Sequence, residues 1–278
     1  MEAESRYHPG ADLLAHIASL EDIGMVGMGV NGARCGSGFG AAEEALIVVG
    51  LGRRLAAPAV LATIGAMHAH VDLREQRVAA AYRRGERIII VEEPHANLVL
   101  MRAPDCAALY ELKDPTGSVD HHLWLAHLRS TTSFGEPIVR FDAAQLLRLR
   151  LIDAAALAGI AEATLDMSVA RVGSFETVKQ HCTNMAIAAR CARDQVSFAA
   201  VAIDEEREDA ALQVDSALFV AGSAALENAA KNVQIHGGVS VGVQPEPQLY
   251  LERAQLLVAM GGGLDATNQR VANTKVSD

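Results

Sequence analysis

Between Val178 and Ile203, apolar residues recur in alternating steps of four and three residues. This spacing places them along one face of an α-helix and is typical of helices that associate side by side. Most of these residues are small, which lets neighbouring helices approach closely. The face consists of Val178, Cys182, Met185, Ala189, Ala192, Val196, Ala199 and Ile203. The segment therefore predicts one helix of a closely packed bundle.

Three further segments complete a predicted four-helix bundle over residues 142–278. Asp142 is suited to cap a helix over residues 143–172, because its carboxylate accepts hydrogen bonds from backbone N–H groups of the first turn. The charged segment 204–210 separates the second helix, which begins near Ser174, from the third. The third helix ends at Gln234, and Pro247 opens the fourth, since proline fits the first turn of a helix.

Residues 86–141 show a different pattern. Short apolar runs alternate there with turn sequences that contain Pro94, Pro104 and Pro115. This pattern predicts a compact antiparallel sheet of about four to six strands. The runs are residues 88–91, 98–101, 107–110, 122–125 and 137–139.

Residues 1–85 are predicted to form an N-terminal helical domain, with helices over 11–28 and 60–85. The fold class is therefore α+β and mainly α. We expect three domains: helical over 1–85, a small β-domain over 86–141, and a four-helix bundle over 142–278.

The composition excludes several classes of function. The chain of 278 residues has a formal net charge of -10, which argues against nucleic acid as the main partner. It has no apolar run of the ~20 residues that a membrane span needs, and its polar start lacks the regions of a signal peptide. The 4 cysteines show no C-x-x-C spacing, which favours reduced, buried thiols over disulfides or zinc. We expect a cytoplasmic protein.

Two short motifs are interpreted as structural. Gly27–Gly32 matches the G-x-G-x-x-G pattern, but helical sequence precedes it, and the later apolar run ends in Arg53 and Arg54 where a dinucleotide fold needs an acidic residue. His68 and His70 lie in the predicted helix over 60–85, where residues two apart point away from each other. We therefore expect surface histidines there and no metal site.

The turn Gln234-Ile235-His236-Gly237-Gly238 is the strongest candidate for ligand binding. Adjacent glycines allow backbone angles closed to other residues and let a ligand approach the chain closely. The Gln234 amide can donate and accept hydrogen bonds, and the His236 ring can do either, which suits phosphates and ribose hydroxyls. Taken alone, the same glycines also fit an ordinary helix C-cap.

This turn, followed by Leu249-Tyr250-Leu251-Glu252-Arg253-Ala254, resembles the C-terminal part of the acyl-CoA dehydrogenase family. The glycine-rich segment from Gly36 to Leu46 is similar to that family's N-terminal helical domain. The resemblance implies that Gln234, His236, Gly237 and Gly238 hold the ADP half of a neighbouring subunit's FAD, and that the bundle forms the subunit interface. Arg171 would contact the FAD pyrophosphate, although a surface arginine is an equally open interpretation.

The sequence also departs from the family. The family's β-domain is considerably longer and carries segments that hold the flavin ring, and we find neither segment here. The family places its catalytic glutamate at one of two positions, which correspond here to Met260–Gly263 and to Leu149 beside Arg150. Neither position contains a carboxylate. The remaining acidic candidates are Asp153, Glu162 and Glu246, and Glu246 before Pro247 fits a helix cap first and a catalytic base only weakly.

The hypothesis from sequence is a small, degenerate subunit of a heteromeric α2β2 acyl-CoA dehydrogenase resembling those of steroid catabolism. Its larger partner would supply the flavin-ring contacts and the base, and the two would share the FAD. Two alternatives stay open. One is a helical scaffold or regulatory subunit without a cofactor, and the other is a flavin monooxygenase of the same fold.

Overall fold

The computed structural model describes residues 39–69, 71, 73, 76–91, 96–112, 119–123, 126–131, 134–171, 176–237 and 246–274. Within these ranges the chain forms seven helices and one seven-stranded sheet. The predicted α+β, mainly helical fold class is confirmed. The helix predicted over residues 11–28 lies outside the described residues.

The helices are α1 (Ala41–Arg53), α2 (Pro58–Met67), α3 (Ala143–Arg171), α4 (Glu176–Asp204), α5 (Ala210–Ile235), α6 (Glu246–Met260) and α7 (Leu264–Asn273). The strands are β1 (Val78–Arg84), β2 (Arg87–Val91), β3 (Leu98–Ala103), β4 (Cys106–Glu111), β5 (Val119–Leu123), β6 (Ala126–Thr131) and β7 (Val139–Arg140).

The chain divides into two compact units. The sheet unit includes Ala57–Met101 and Ala107–Arg140, and the helical unit comprises Gly40–Ala56, Arg102–Cys106 and Phe141–Asp278. The division into three domains at residues 85 and 141 stays a prediction.

The sheet has the strand order β5-β6-β2-β1-β3-β4-β7. The pairs β1–β2, β2–β6, β5–β6 and β4–β7 are antiparallel. One face buries alternate residues of β1 to β4, and the rings of Tyr110 and Phe134 lie 5.0 Å apart beside them. The residues of this core are Ala79, Ala81, Ile88, Ile90, Val99, Met101, Ala108 and Tyr110.

The predicted helix over 60–85 is wrong beyond Met67. Val78–Arg84 forms the interior strand β1, and Tyr82 lies opposite Ile89 of β2. Its three consecutive alanines favour a helix locally, but pairing and burial between two neighbouring strands outweigh that preference. The sheet consequently exceeds the four to six strands predicted, because β1 and β6 were not anticipated.

The helical unit is built around α3. The helix starts with a reciprocal cap, in which Asp142 and Gln145 exchange side chain to backbone hydrogen bonds of 2.8 Å each. Every residue from Leu151 to Ala161 is buried, so this part of α3 has no solvent face. A helix covered on all sides needs neighbours around it, and α1, α4 and α5 provide them.

The predicted apolar face of α4 is confirmed. From Cys182 to Ala199 each member of the face is buried, and Val178 and Ile203 at its ends are half-buried. Between α1 and α3 the helices approach more closely still. A Cβ atom on Gly159 would lie 2.1 Å from the Val49 carbonyl oxygen, so only glycine fits at this contact.

Asn228 of α5 connects the three central helices. Its buried side-chain amide donates to the carbonyl oxygens of Ala161 in α3 (3.1 Å) and Met185 in α4 (3.0 Å). A second contact joins Ser168 of α3 to Asn232 of α5 at 3.0 Å. In the two contacts, the residue further along α3 is paired with the residue further along α5. These two helices therefore run parallel and end on the same side of the bundle.

Two expectations about single residues require correction. His68 is buried at the end of α2 and is not a surface residue, while His70 lies outside the described residues. The described cysteines are free thiols as expected, but only Cys182 is buried, whereas Cys106 and Cys191 are exposed. No described helix is long and apolar enough to cross a membrane.

Candidate functional site

A buried hydrogen bond joins the last turns of α3 and α5. The Ser168 hydroxyl donates to the Asn232 side-chain oxygen at 3.0 Å, and both residues are fully buried. Arg171 follows Ser168 by one helical turn, and Gln234, His236 and Gly237 follow Asn232 within two turns. The bond therefore holds the two helix ends that carry the candidate ligand-binding residues next to each other.

Helix α5 is followed by a turn at His236 and Gly237. The Gly237 N–H donates to the Gln234 carbonyl oxygen at 3.0 Å, and the φ of Gly237, 69°, lies in the region that favours glycine. A Cβ atom added there would meet no heavy atom of the described residues within 4 Å, so this part of the chain leaves the turn open on that side. Gly238 lies outside the described residues.

The side chains of this turn are polar and accessible. Gln234 is exposed, and its side-chain oxygen accepts a hydrogen bond of 3.0 Å from Lys231. This contact fixes the amide orientation and leaves its nitrogen to donate to a ligand. His236 is half-buried, with Nδ1 2.9 Å from the Asn232 carbonyl oxygen. Because a carbonyl only accepts, Nδ1 carries the hydrogen, and Nε2 is the acceptor of the neutral ring.

Arg171 is the last residue of α3 and is exposed. A phosphate placed at this end of the bundle would face the negative ends of two helix dipoles, those of α3 and α5. Arg171 and Lys231 are cationic side chains that can offset this repulsion. Glu246 begins α6, and its side chain lies outside what the structure describes.

The acidic candidate Asp153 forms an ion pair with an arginine. Arg102 contacts both Asp153 carboxylate oxygens, one of them at 2.8 Å, and also donates to the Leu149 carbonyl oxygen at 3.1 Å. Asp153 is fully buried. Burial raises the pKa of its carboxyl group, and Arg102 opposes that effect. The pair is enclosed in the helical unit, where it has no access to a substrate.

Glu162 also forms ion pairs, in this case with two arginines. One of its oxygens accepts from Arg53 at 2.9 Å and the other from Arg193 at 3.0 Å. The hydrogen bond to Glu162 is the main reason that the pKa of Arg53 is raised. Because both of its carboxylate oxygens already contact guanidinium groups, Glu162 links α1, α3 and α4.

A second pair of arginines surrounds Asp215 at the start of α5. Arg270 donates to Asp215 at 2.9 Å, and Arg150 approaches it at 3.4 Å. Both arginines also donate to the Pro104 carbonyl oxygen, at 3.4 Å and 2.9 Å respectively. Burial lowers the pKa of Arg150, and Asp215 opposes this. We call Arg102, Arg150, Arg270, Asp153 and Asp215 the arginine cluster.

The two positions at which the family resemblance places a catalytic carboxylate lie beside this cluster. Leu149 is buried. In the Met260–Gly263 turn, Gly262 and Gly263 have φ of 93° and 90°, and a Cβ on Gly262 would lie 2.8 Å from the Pro104 side chain. A glutamate at Gly262 would thus be strained in its backbone and would clash with Pro104.

Sequence reasoning missed the role of Tyr250 and Arg253. The Tyr250 hydroxyl donates to the Arg53 carbonyl oxygen at 2.7 Å, and buried Arg253 donates to those of Leu55 (3.1 Å) and Ala56. These carbonyls belong to the last residue of α1 and to residues just after it, where backbone acceptors lack partners within the helix. The signal was present in the segment from Leu249 to Ala254 that carries the resemblance, but its partners lie far away in the chain.

Residues 145–274 match the family model of the acyl-CoA dehydrogenase C-terminal domain. Butyryl-CoA dehydrogenase from Megasphaera elsdenii is similar in structure, with 16% sequence identity, a TM-score of 0.68, and coverage of 92% of this chain and 88% of that chain. The fold is that of an acyl-CoA dehydrogenase.

Two further solved structures share the acyl-CoA dehydrogenase fold. A variant of the Tcur3481–Tcur3483 steroid ACAD is 18% identical with a TM-score of 0.71, covering 91% of this chain and 86% of that chain. The ChsE4–ChsE5 complex from Mycobacterium tuberculosis is 22% identical with a TM-score of 0.69, covering 93% of this chain and 88% of that chain. No curated protein sequence matches the chain.

Proposed function

We propose that this chain is the small subunit of a heteromeric acyl-CoA dehydrogenase and completes the FAD site of a larger partner. Gln234, His236, Gly237, Gly238 and Arg171 would contact the ADP half of that FAD. The observation that carries the proposal is the buried Ser168–Asn232 bond, which holds the helix ends bearing Arg171 and the 234–238 turn side by side.

The donor set fits the ADP half of FAD. Arg171 and Lys231 provide positive charge for phosphate oxygens, and the Gln234 amide can bind a phosphate or a ribose hydroxyl. The open space at Gly237 lets such a group approach the backbone. FAD supplies the hydride acceptor of the reaction. The residues of this chain bind and orient the nucleotide.

The chain contributes no catalytic base in this proposal. Removal of an α proton from an acyl-CoA requires a carboxylate in contact with the substrate. Leu149 and the glycine turn at 261–263 occupy the two positions where the resemblance places it, and Asp153 and Glu162 are paired with arginines. The base would come from the partner, with Glu246 as the only acidic candidate from our sequence analysis that the structure leaves untested.

The proposed substrate is the CoA thioester of a steroid-derived acyl group. Two observations support a heteromeric enzyme of this type. One is the similarity in fold to a steroid ACAD, and the other is the similarity to a complex of two different chains.

The test is coexpression with a larger acyl-CoA dehydrogenase subunit that carries the flavin-ring segments and the catalytic glutamate. We expect the purified complex to contain one FAD per heterodimer, measured by flavin absorbance, and the isolated chain to be colourless. The variant with both Arg171→Ala and Gln234→Ala should lose flavin while gel filtration shows an intact complex. Exposed Arg84→Ala and Gln248→Ala are the matched controls and should retain it.

Two results would overturn the proposal. Unchanged flavin content in the double variant would favour a scaffold subunit without a role at the cofactor. A stoichiometric flavin in the isolated chain would show that the chain holds the ring itself.

A further inference from the structure

The hairpin formed by β1 and β2 presents a group of arginines without carboxylate partners. Arg83, Arg84 and Arg87 are exposed, and Gly85 and Glu86 form the turn between the two strands. Gly85 has a φ of 62°, in the region that favours glycine. Within the residues that the structure describes, none of the three arginines contacts a carboxylate. The hairpin is therefore a basic site on a chain whose formal net charge is -10.

The strand register places two of these arginines together on one face of the sheet. Arg84 of β1 lies directly opposite Arg87 of β2, and Tyr82 lies on the same face because it precedes Arg84 by two residues. Arg83 lies opposite Ile88, a member of the core on the other face. Residues opposite one another in an antiparallel pair have Cβ atoms about 4.5–5.5 Å apart. Guanidinium groups at this spacing can contact the same small anion.

Tyr82 adds a hydroxyl group to this face. Its side chain is only 6% exposed, and its hydroxyl forms no hydrogen bond with any group that the structure describes. A buried tyrosine hydroxyl normally has a partner. Burial raises the pKa of this hydroxyl, and the nearby charge of Arg84 opposes the effect. Because its pKa lies above the ordinary value, the hydroxyl is protonated at neutral pH and can donate to a ligand.

Two structural roles do not account for the Arg84–Arg87 pair. Charged side chains often protect the edge of a sheet from pairing with another chain, but β1 and β2 are interior strands of this sheet. Favourable pairing across the hairpin is also excluded, since like charges directly opposite each other are destabilising. An anion bound between the two arginines would remove this repulsion.

The donors on this face match a phosphate monoester. Each guanidinium can donate two parallel hydrogen bonds to a phosphate, and the Tyr82 hydroxyl can donate one more. A phosphate monoester has three terminal oxygens and a charge of about -1.5 to -2 at neutral pH, which suits two arginines. A carboxylate, or one phosphate of a pyrophosphate linkage, offers two terminal oxygens and a single charge. The face therefore fits a phosphate monoester better than either of these groups.

We infer that Arg84, Arg87 and Tyr82 form a binding site for a phosphate monoester, and that the group bound is the 3′-phosphate of the CoA thioester substrate. The choice of CoA rests on the proposed function. CoA carries a phosphate monoester, whereas the phosphates of FAD form a pyrophosphate. The site uses none of the residues assigned to FAD, so the two proposals can be tested independently.

The test compares CoA with dephospho-CoA, which lacks the 3′-phosphate, in calorimetric titrations of the full-length isolated chain. We expect CoA to bind at least about fivefold more tightly, because the charge-assisted hydrogen bonds are made only to the monoester. The variant with both Arg84→Ala and Arg87→Ala should lose this difference. Both residues are exposed, so circular dichroism should show an unchanged fold. Exposed Arg83→Ala on the other face is the matched control and should retain the difference.

Two further variants test the neighbouring groups. Tyr82→Phe removes only the hydroxyl and should weaken CoA binding about threefold, with the Kd for dephospho-CoA unchanged. Glu86 is exposed in the turn and makes no ion pair within the described part of the chain. Glu86→Gln should therefore strengthen CoA binding slightly, since it removes a negative charge near the phosphate.

Three results would overturn the inference. The first is equal affinity of the original chain for CoA and dephospho-CoA. The second is an equal loss of CoA binding in Arg83→Ala, which would indicate attraction to positive charge in general. The third is a hairpin variant that no longer binds the larger subunit, which would assign the pair to a carboxylate of that partner. Inorganic phosphate that binds as tightly as CoA would overturn the choice of CoA and support the phosphate site.

Flavin content separates this inference from the proposed function. The complex with Arg84→Ala and Arg87→Ala should retain its flavin. If CoA and dephospho-CoA bind equally while flavin content still depends on Arg171 and Gln234, the proposed function stands and the phosphate site falls. If the chain prefers CoA but flavin content does not depend on Arg171 and Gln234, the phosphate site stands and the proposed role at the FAD falls.

Discussion

Helices α3 and α5 have polar residues at both of their ends, but the two ends use them differently. At their N-terminal ends, buried Arg102 and half-buried Arg150 and Arg270 pair with the buried carboxylates of Asp153 and Asp215. At their C-terminal ends, Arg171 and Gln234 are exposed beside open space at Gly237. The N-terminal end has satisfied its charges within the chain, whereas the C-terminal end presents polar groups to solvent.

This difference indicates which end can take a ligand. Charged groups that neutralise one another in a low-dielectric interior are costly to separate, so the arginine cluster serves structure. Exposed polar groups on a rigid support can bind a ligand without breaking existing contacts. The four predictions below test this distinction.

The largest effect is expected from the buried Arg102–Asp153 pair. Replacing Arg102→Met leaves the Asp153 carboxylate buried without its guanidinium partner and should lower the free energy of unfolding by about 3–5 kcal/mol. Urea denaturation of the isolated chain measures this. The double change Arg102→Met with Asp153→Leu should recover most of the loss, and a single variant as stable as the original would contradict the structural role.

Asp215 should have the next largest effect. Asp215→Asn removes the charge shared by Arg150 and Arg270 and should cost about 1.5–3 kcal/mol. The matched control is Asp105→Asn. The Asp105 side chain is 79% exposed and contacts Arg150 at 3.4 Å, so its change should stay within about 0.5 kcal/mol. If Asp215→Asn and Asp105→Asn lowered the free energy of unfolding by similar amounts, burial of the carboxylate would not determine its contribution to stability.

Replacing polar side chains at the C-terminal ends of α3 and α5 should change the free energy of unfolding very little. Arg171→Ala and Gln234→Ala, tested singly in the isolated chain, should each alter the free energy of unfolding by less than about 0.5 kcal/mol. Their effect should appear only in the flavin content of the complex. A loss of more than about 1 kcal/mol in urea would make this end structural as well and would remove the contrast.

The smallest effect concerns pH and the loop between α4 and α5. Arg207 and then Gln213 lower the pKa of Asp209 from 3.8 to about 2. Because the folded-state pKa is depressed, Asp209 stabilises the fold above its unfolded value, and this contribution is lost as pH falls from about 4 through about 2. In thermal melts over this range, Asp209→Asn should flatten the fall in Tm slightly, whereas Glu208→Gln should do so less.

The bundle could be predicted because its signal is local. Steps of four and three residues along α4 indicate a helix with one apolar face, and Asp142 indicates a helix start. Strand β1 could not be predicted in this way. Its alanines favour a helix, and only the neighbouring strands of the sheet decide otherwise.

The candidate site was predictable in part. The glycines after Gln234 indicate a turn from sequence alone, and the structure gives Gly237 the positive φ that such a turn requires. The buried Ser168–Asn232 bond was not predictable, since 64 residues separate its partners. The same holds for Arg253, whose contacts at Leu55 and Ala56 are 198 and 197 residues away.

The sequence by itself determined the helix periodicity, the short strands over much of the sheet and the absence of a carboxylate at Leu149 and at 260–263. The tertiary structure alone decided which polar residues are engaged with each other, because an ion pair such as Arg102–Asp153 depends on packing between segments 51 residues apart. Burial and distance are properties of the folded chain. They separate an arginine that stabilises the interior from one that remains exposed to a ligand.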